Sequence, residues 1–185
     1  MNKATTALVV IDLQKGIAAQ PTQPHASHEV IRNAARLVTA FRKNAMPVFL
    51  VHVVSTPETM LKIKSDSTFS RTGPMPPDWS EFIPEIAPVA TDVVIGKKQW
   101  GAFYGTDLEL QLRRRGMDTI VLCGIATDFG VESTARFAYE YGFQQVFAED
   151  AMASMSAEQH HAAINFIFKR MGRVRTTDEI LAAIG

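Results

Sequence analysis

Short runs of consecutive apolar and β-branched residues alternate along this chain with longer segments of helical periodicity. The runs predict six strands, at residues 7–12, 48–54, 92–95, 119–123, 145–148 and 172–175. Several runs are apolar at consecutive rather than alternate positions, which is typical of strands buried on both faces in a parallel sheet. The pattern therefore favours strands that are covered by helices on both sides.

Helical segments fill the intervals between these strands. Between residues 27 and 44, an apolar stripe at helical spacing is formed by Val30, Ala34, Leu37 and Phe41. Strands that alternate with helices pack as an α/β domain, and right-handed crossovers make successive strands parallel. We predict a three-layer α/β/α sandwich with a mostly parallel, Rossmann-like, six-stranded sheet. Functional side chains are then expected beyond the carboxyl ends of the strands.

Length and charge limit the classes of function. The 185 residues, 46% of them hydrophobic, favour a single domain over residues 1–185 rather than two domains. Lys plus Arg and Asp plus Glu both total 19, so the formal net charge is zero. A nucleic-acid or membrane-surface binder would carry a basic patch or excess. The expected partner is therefore a small-molecule substrate, not a nucleic acid or a membrane.

Cysteine usage and the amino terminus bear on the compartment. Cys123 is the single cysteine, which excludes an intrachain disulfide and a cysteine-based structural zinc site. It falls within a predicted strand and is expected to be a buried core thiol. The first residues lack a basic segment followed by a long apolar stretch, and no apolar run approaches the roughly 20 residues of a membrane span. These features favour a cytoplasmic protein.

Residues 56–90 interrupt the alternation of strands and helices. The stretch has little periodicity and contains six prolines, which are Pro57, Pro74, Pro76, Pro77, Pro84 and Pro88. We interpret it as a long excursion over one edge of the sheet. A long connection in a compact domain is often functional, so it is a candidate lid or oligomer contact. A variable surface loop fits the pattern equally well.

Three predicted strands end in residues that could carry chemistry. Asp12 follows three buried apolar residues, where burial raises a carboxyl pKa, but it could equally cap the next loop. Lys97 and Lys98 could supply a positive charge to a developing anion, although two solvated lysines fit that position better. After the fourth strand, residues 124–136 predict a tight turn into a helix, whose first N–H groups favour an anion or a polarised carbonyl.

Taken together, these segments resemble the isochorismatase-like hydrolases, which include nicotinamidases, N-carbamoylsarcosine amidases and isochorismatases. The similarity runs from Val-Ile-Asp-Leu-Gln at residues 10–14 to Gly-Arg-Val-Arg-Thr-Thr-Asp-Glu at residues 172–179. Between them lie Ala-Phe-Tyr-Gly-Thr-Asp-Leu at residues 102–108 and Val-Glu-Ser-Thr-Ala-Arg at residues 131–136. Each motif alone is weak, but the ordered set is specific. The resemblance implies the isochorismatase-like hydrolase fold.

The resemblance also implies a catalytic triad with one member missing. Asp12 takes the acid position, and Lys97, five residues before Ala102, takes the lysine position in preference to Lys98. Gly130 falls where other members carry the nucleophilic cysteine. Because glycine has no side chain with which to form a thioester, amidase chemistry of the nicotinamidase type is not predicted.

The family further implies the surroundings of this site. A cis peptide is expected between Ile125 and Ala126. The expected substrate-binding residues are Gln14, Trp100, Phe103, Ile125, Ala126 and Phe129. His52 lacks the Asp-x-His context of the metal-binding nicotinamidases. Four other histidines show no ligand spacing tied to the site and are interpreted as surface residues, so neither a metal nor a cofactor is predicted: His25, His28, His160 and His161.

Glycine at the nucleophile position leaves several functions open. Isochorismatases also carry glycine there, and their Asp protonates a vinyl ether so that water can release pyruvate. The chain is therefore expected to be a hydrolase of a small, carboxylated molecule such as an isochorismate-like enol ether. The alternative is a catalytically silent member that binds a small ligand or a protein partner, and an amidase with another nucleophile ranks third. Because family members are often oligomeric, a homo-oligomer, a dimer or a tetramer, is expected.

Overall fold

The described residues form one six-stranded sheet. The computed structural model describes the chain except residues 57, 60, 62 and 67–74. Its strands are β1 (Thr6–Ile11), β2 (Val48–Val53), β3 (Val93–Lys97), β4 (Thr119–Ile125), β5 (Gln144–Ala153) and β6 (Arg173–Arg175). All neighbours pair in parallel, in the order β3-β2-β1-β4-β5-β6. The predicted six-stranded, Rossmann-like sheet is confirmed.

Helices cover both faces of this sheet. The α-helices are α1 (Lys15–Ala18), α2 (Ser27–Lys43), α3 (Leu108–Arg114), α4 (Glu132–Glu140), α5 (Ala157–Ala162), α6 (Lys169–Met171) and α7 (Thr177–Ile184). A π-helical turn (Thr127–Val131) leads into α4, a π-helical segment (Ala163–Phe168) joins α5 to α6, and a 3-10 turn spans Pro84–Ile86. None of the described helices combines the length and the apolar character needed to cross a membrane.

Alternate residues of the central strands contribute to two hydrophobic cores. In β1, Leu8 and Val10 belong to the core between the sheet and helices α2 and α7. Ala7 and Val9 belong to the core on the other face, which α3, α4 and residues 157–171 cover. Cys123 of β4 is fully buried in the first core, so the predicted core thiol is confirmed.

The strand order locates the site region. From β1 the chain adds β2 and β3 on one side, and from β4 it adds β5 and β6 on the other. The order reverses between β1 and β4, and the crevice beyond the carboxyl ends of strands at such a switch point is where ligands bind in this architecture. Asp12 directly follows β1, and the turn of residues 127–131 follows β4.

The Pro-rich excursion over residues 56–90 is described only in part. Pro57 and Pro74 lie outside the described residues. In the later part, the indole of Trp79 packs over Gly16, where an added Cβ would lie 1.8 Å from its ring. The N–H groups of Lys15 and Gly16 donate to carbonyls of residues 81 and 79, at 2.8 and 3.0 Å. This part of the excursion is therefore fixed against α1, while its role as a lid or an oligomer contact stays a prediction.

Gly124 allows β1 and β4 to approach each other at the switch point. Its φ is 125°, and an added Cβ would lie 2.0 Å from the carbonyl oxygen of Ile11. Replacing Gly124 with alanine is expected to lower the free energy of unfolding by about 3 kcal/mol or more, because strained backbone and overpacking add. Urea denaturation measures the loss.

The matched control for this substitution is Gly105→Ala. Gly105 also has a positive φ, of 67°, but an added Cβ would meet nothing within 4 Å. The control is expected to lose about 1–2 kcal/mol, from the left-handed backbone alone. Equal losses in the two variants would contradict the close approach of the strands at Gly124.

Candidate active site

Asp12 is held at the carboxyl end of β1 in an uncommon backbone conformation. Its φ is 56°, in the left-handed region that asparagine and aspartate tolerate better than most residues. Its N–H donates to the carbonyl of Val51 in β2 at 2.9 Å. The residue is only 4% exposed. The end of the sheet therefore places a carboxyl group at the switch point, out of bulk water.

Lys97 reaches this carboxyl group from the edge strand β3. It is 1% exposed, and its Nζ lies 2.8 Å from Oδ2 of Asp12. The same ammonium donates to the carbonyl of Trp100 at 2.5 Å. Lys98, the second lysine considered from the sequence, is exposed. Of the two lysines, Lys97 is thus the one that contacts Asp12.

Burial dominates the electrostatics of this ion pair. Loss of solvation raises the pKa of Asp12 to about 6, and the Lys97 cation, which lowers it, offsets the effect only in part. Oδ1 of Asp12 is buried and has no hydrogen-bond partner among the residues that the structure describes. Lys97 therefore holds one carboxylate oxygen, while the other has no partner among the described residues. A carboxyl group in this state can carry a proton near neutral pH.

Gly130 lies in the π-helical turn against the same pair. An added Cβ would lie 2.9 Å from Oδ2 of Asp12, 2.9 Å from Cγ2 of Ile11 and 3.1 Å from Nζ of Lys97. A side chain at residue 130 would thus point at the acid and the lysine. The absence of a side chain lets Asp12 and Lys97 occupy that space. The structure therefore brings Asp12, Lys97 and Gly130 together.

The turn that carries Gly130 is anchored on both sides. The peptide between Ile125 and Ala126 is cis, as the resemblance implied, and both residues are buried. The hydroxyl of Thr134 donates to the carbonyl of Gly130 at 2.7 Å and accepts the N–H of Ala102 at 3.0 Å. Sequence reasoning did not single out Thr134, although it lies in a motif that carries the resemblance.

The three aromatic residues among the predicted substrate-binding residues differ in their surroundings. Trp100 and Phe129 form an edge-to-face pair with ring centroids 4.9 Å apart, and Trp100 is 62% exposed. Phe103, by contrast, is 6% exposed and packs against Tyr141 and Phe143 in the core beneath α4. The aromatic pair supplies an exposed apolar surface, whereas Phe103 contributes packing.

Gln14 is occupied by backbone contacts. Its amide nitrogen donates to the carbonyls of Trp79 and Val53, at 3.1 and 3.4 Å, and its amide oxygen accepts the N–H of Val53 at 2.7 Å. The residue is fully buried. Its side chain therefore joins the end of β2 to the described part of the excursion, rather than leaving a polar group free.

His160 does not lie where the sequence predicted it. His160 was predicted on the surface, but it is 1% exposed. Its Nδ1 lies 2.9 Å from the hydroxyl of Thr127, the first residue of the π-helical turn. A buried polar group of this kind is stable when it is hydrogen-bonded, which the spacing of histidines in a sequence does not reveal. His28 and His161 are exposed as predicted.

Comparison with known proteins points to one family. The family model described as the isochorismatase domain matches residues 6–179. The isochorismatase family protein YecD of Escherichia coli O157:H7 is 50% identical over 185 residues, which is all of this chain and 98% of YecD. A protein of Pseudomonas chlororaphis named probable isochorismatase is 30% identical over 175 residues, 94% of this chain and 84% of its own length. An isochorismatase family protein of Burkholderia thailandensis superposes with a TM-score of 0.93 at 43% identity, over 100% of this chain and 97% of that one.

Proposed function

The chain belongs to the isochorismatase family, and from this membership we propose that it is a hydrolase of a small, carboxylated enol ether of the isochorismate type. Asp12 is the general acid in this proposal. The main support for this role is that the carboxyl group of Asp12 is buried, with its pKa raised to about 6. One of its oxygens also has no hydrogen-bond partner among the described residues. A general acid must hold its proton at the working pH, and a pKa in this range allows it.

The proposed reaction begins with proton transfer. Asp12 gives its proton to the terminal methylene carbon of the vinyl ether, which leaves an oxocarbenium ion at the neighbouring carbon. Water adds to that carbon and loses a proton, which returns to the Asp12 carboxylate. The resulting hemiketal then breaks its bond to the ether oxygen while its hydroxyl proton passes to that oxygen, and this yields pyruvate and an alcohol. Asp12 thus ends the cycle in its starting form.

Other residues position the acid and the substrate in this proposal. Lys97 binds Oδ2 of Asp12 and so directs Oδ1 towards the substrate. The π-helical turn at residues 127–131 offers N–H groups near its start, which favour a substrate carboxylate. Trp100, whose carbonyl accepts a hydrogen bond from Lys97, and Phe129, which precedes Gly130, offer the substrate an apolar surface.

Amidase chemistry has less support. A thioester requires a thiol beside Asp12 and Lys97, and residue 130 supplies none. Cys123 does not replace it, because that thiol is fully buried in the core. Burial, with a smaller effect of the Asp150 charge, raises its pKa to about 12. Thiolate, which is the nucleophilic form, is therefore negligible at neutral pH.

Substrate assays test the proposed function directly. The wild-type protein is incubated with isochorismate, and pyruvate is followed with lactate dehydrogenase and NADH. In parallel it is given an amide, nicotinamide, and ammonia release is measured. We expect pyruvate from isochorismate and no ammonia from nicotinamide. Ammonia without pyruvate would refute the enol-ether assignment, and turnover of neither, with measurable ligand binding, would favour the catalytically silent alternative.

Restoring a thiol tests the placement of residue 130. In Gly130→Cys the new thiol should point at Asp12 and Lys97 and become labelled by iodoacetamide at pH 7, since ligands must reach the same place. The wild type serves as the control, because its single cysteine, Cys123, is buried and should stay unlabelled. Intact-protein mass spectrometry counts the labels. A folded variant that is labelled no faster than the wild type would show that residue 130 does not face the proposed site.

A further inference from the structure

Three potential metal ligands from distant parts of the chain converge near Thr127, the first residue of the π-helical turn. They are His25, which precedes α2, Glu149 of β5 and His160 of α5. Each offers one ligand atom, and these three atoms lie within 4.8 Å of one another. None of the three belongs to the set proposed to contact substrate. Their separation along the chain explains why ligand spacing in the sequence did not reveal them.

His160 has one ring nitrogen that the Thr127 hydroxyl does not occupy. Its Nδ1 is engaged by the hydroxyl of Thr127 at 2.9 Å, which leaves Nε2 for a ligand. Metal-binding histidines commonly have their second nitrogen fixed by a hydrogen bond of this kind.

The segment that carries His25 is held in place independently of these ligands. The N–H groups of Gln23 and Ser154 donate to each other's carbonyls, at 2.8 and 2.9 Å. The hydroxyl of Thr22 donates to the carbonyl of His25 at 2.8 Å. The segment is thereby fixed to the end of β5, the strand that supplies the carboxylate. A site held in this way loses little entropy when an ion binds.

Glu149 lies in an irregular part of β5. Leu122 of β4 pairs with Phe147, whereas Gly124 pairs with Met152. An advance of two residues along β4 thus corresponds to an advance of five residues along β5, which means that β5 contains a β-bulge between those pairs. Bulges redirect side chains and are common beside functional sites. Glu149 is partly exposed, as is His25, so an ion could reach the cluster from solvent.

We propose that His25, Glu149 and His160 bind one divalent transition-metal ion of the zinc type. Two imidazoles and one carboxylate are a ligand set that Zn²⁺ takes in proteins, with water as a fourth ligand. Ca²⁺ and Mg²⁺ prefer oxygen ligands and do not suit two imidazoles. Bonds of about 2.0–2.2 Å to zinc place tetrahedral ligands roughly 3.4 Å apart, which modest side-chain rotations can reach from the present separations.

The ion would join three segments and support the proposed active site indirectly. It links the loop before α2, strand β5 and helix α5. His160 in turn contacts Thr127, which begins the turn that carries Gly130. The ion therefore stabilises the position of that turn and takes no part in the chemistry at Asp12. Its binding can be measured without any substrate.

Metal titration tests this assignment. Untagged, chelator-treated full-length protein is titrated with ZnCl₂ by calorimetry, and with CoCl₂ by visible absorption. We expect one ion per chain and a tetrahedral Co²⁺ spectrum. His25→Ala and Glu149→Gln should each weaken binding at least tenfold, because each removes one ligand at a partly exposed position. His28→Ala and His161→Ala, which alter neighbouring exposed histidines, should change the affinity less than twofold.

Three results would overturn the proposed metal site. Absence of Zn²⁺ and Co²⁺ binding to the wild type would exclude the site. Unchanged affinity in both His25→Ala and Glu149→Gln would place any bound ion elsewhere. At one fixed zinc concentration, the melting temperature should also rise more in the wild type than in His25→Ala, and a rise of equal size in both would contradict the assignment.

Discussion

Replacing Asp12 with asparagine is expected to lower kcat/KM for isochorismate by about 10²–10⁴-fold, the usual contribution of a general acid. Asparagine keeps the shape of the side chain and removes the transferable proton. The surrounding contacts, including the N–H of Asp12 to Val51, depend on the backbone and should persist. Pyruvate release by the two proteins, measured at pH 6, gives the ratio.

Because Asp12→Asn also removes the ion pair with Lys97, its control should remove a different buried ion pair. Asp92 provides one, since its side chain is 1% exposed and contacts Arg42 at 2.5 Å. It precedes β3 and so lies at the end of that strand opposite Lys97. Asp92→Asn should lose stability but keep kcat/KM within about threefold. If Asp12→Asn kept more than a tenth of wild-type activity, another group would have to supply the proton.

Replacing Lys97 with methionine is expected to move the pH dependence of activity upwards. In the wild type, kcat/KM should be constant below pH 6 and fall tenfold per pH unit well above it, because the acid form of Asp12 disappears there. The Lys97 cation lowers the pKa of Asp12, so its removal raises that pKa further. The falling limb should therefore shift above pH 6. Lys98→Met, the neighbouring exposed lysine, should leave the profile unchanged.

The same substitution should destabilise the protein in a pH-dependent way. The pKa of Asp12 is higher in the folded than in the unfolded state, so folding favours the protonated carboxyl group. The stability that protonated Asp12 contributes is present at low pH and is lost as the pH rises through the folded-state pKa. Without Lys97, ionised Asp12 would have no counter-charge, which costs about 3–5 kcal/mol in buried pairs. Lys97→Met should therefore lose little stability at pH 5 and several kcal/mol at pH 8. A loss equal at both values would contradict a protonated Asp12 at low pH.

The sheet and the acid at its end could be predicted because both depend on local patterns. Runs such as residues 7–12 are apolar at consecutive positions, and this alone marks a strand buried on both faces. Once β1 is recognised, Asp12 must lie at its carboxyl end, where sites of this architecture form. The same rule places Lys97 and Lys98 near the end of β3, although the pattern alone favoured two solvated lysines there. The roles of Asp12 and Lys97, and the choice of Lys97 over Lys98, came from the family resemblance.

Other parts of the site depend on contacts between distant segments. The sequence did not show that Phe103 packs beneath α4 or that Gln14 holds the backbone of β2, because both facts arise from tertiary packing. His160 is buried with a hydrogen-bond partner, Thr127, that lies 33 positions earlier in the chain. The balance between burial and Lys97 that sets the pKa of Asp12 likewise required the geometry of the folded chain.

Direct titration of Asp12 tests the central claim independently of any substrate. The carboxyl ¹³C shift of Asp12, assigned by comparison with Asp12→Asn, is followed between pH 3 and 9 by NMR. The structure predicts a midpoint near pH 6, since burial outweighs the effect of Lys97. A midpoint below pH 4 would mean that Asp12 is ionised throughout the working range, and would contradict its assignment as the general acid.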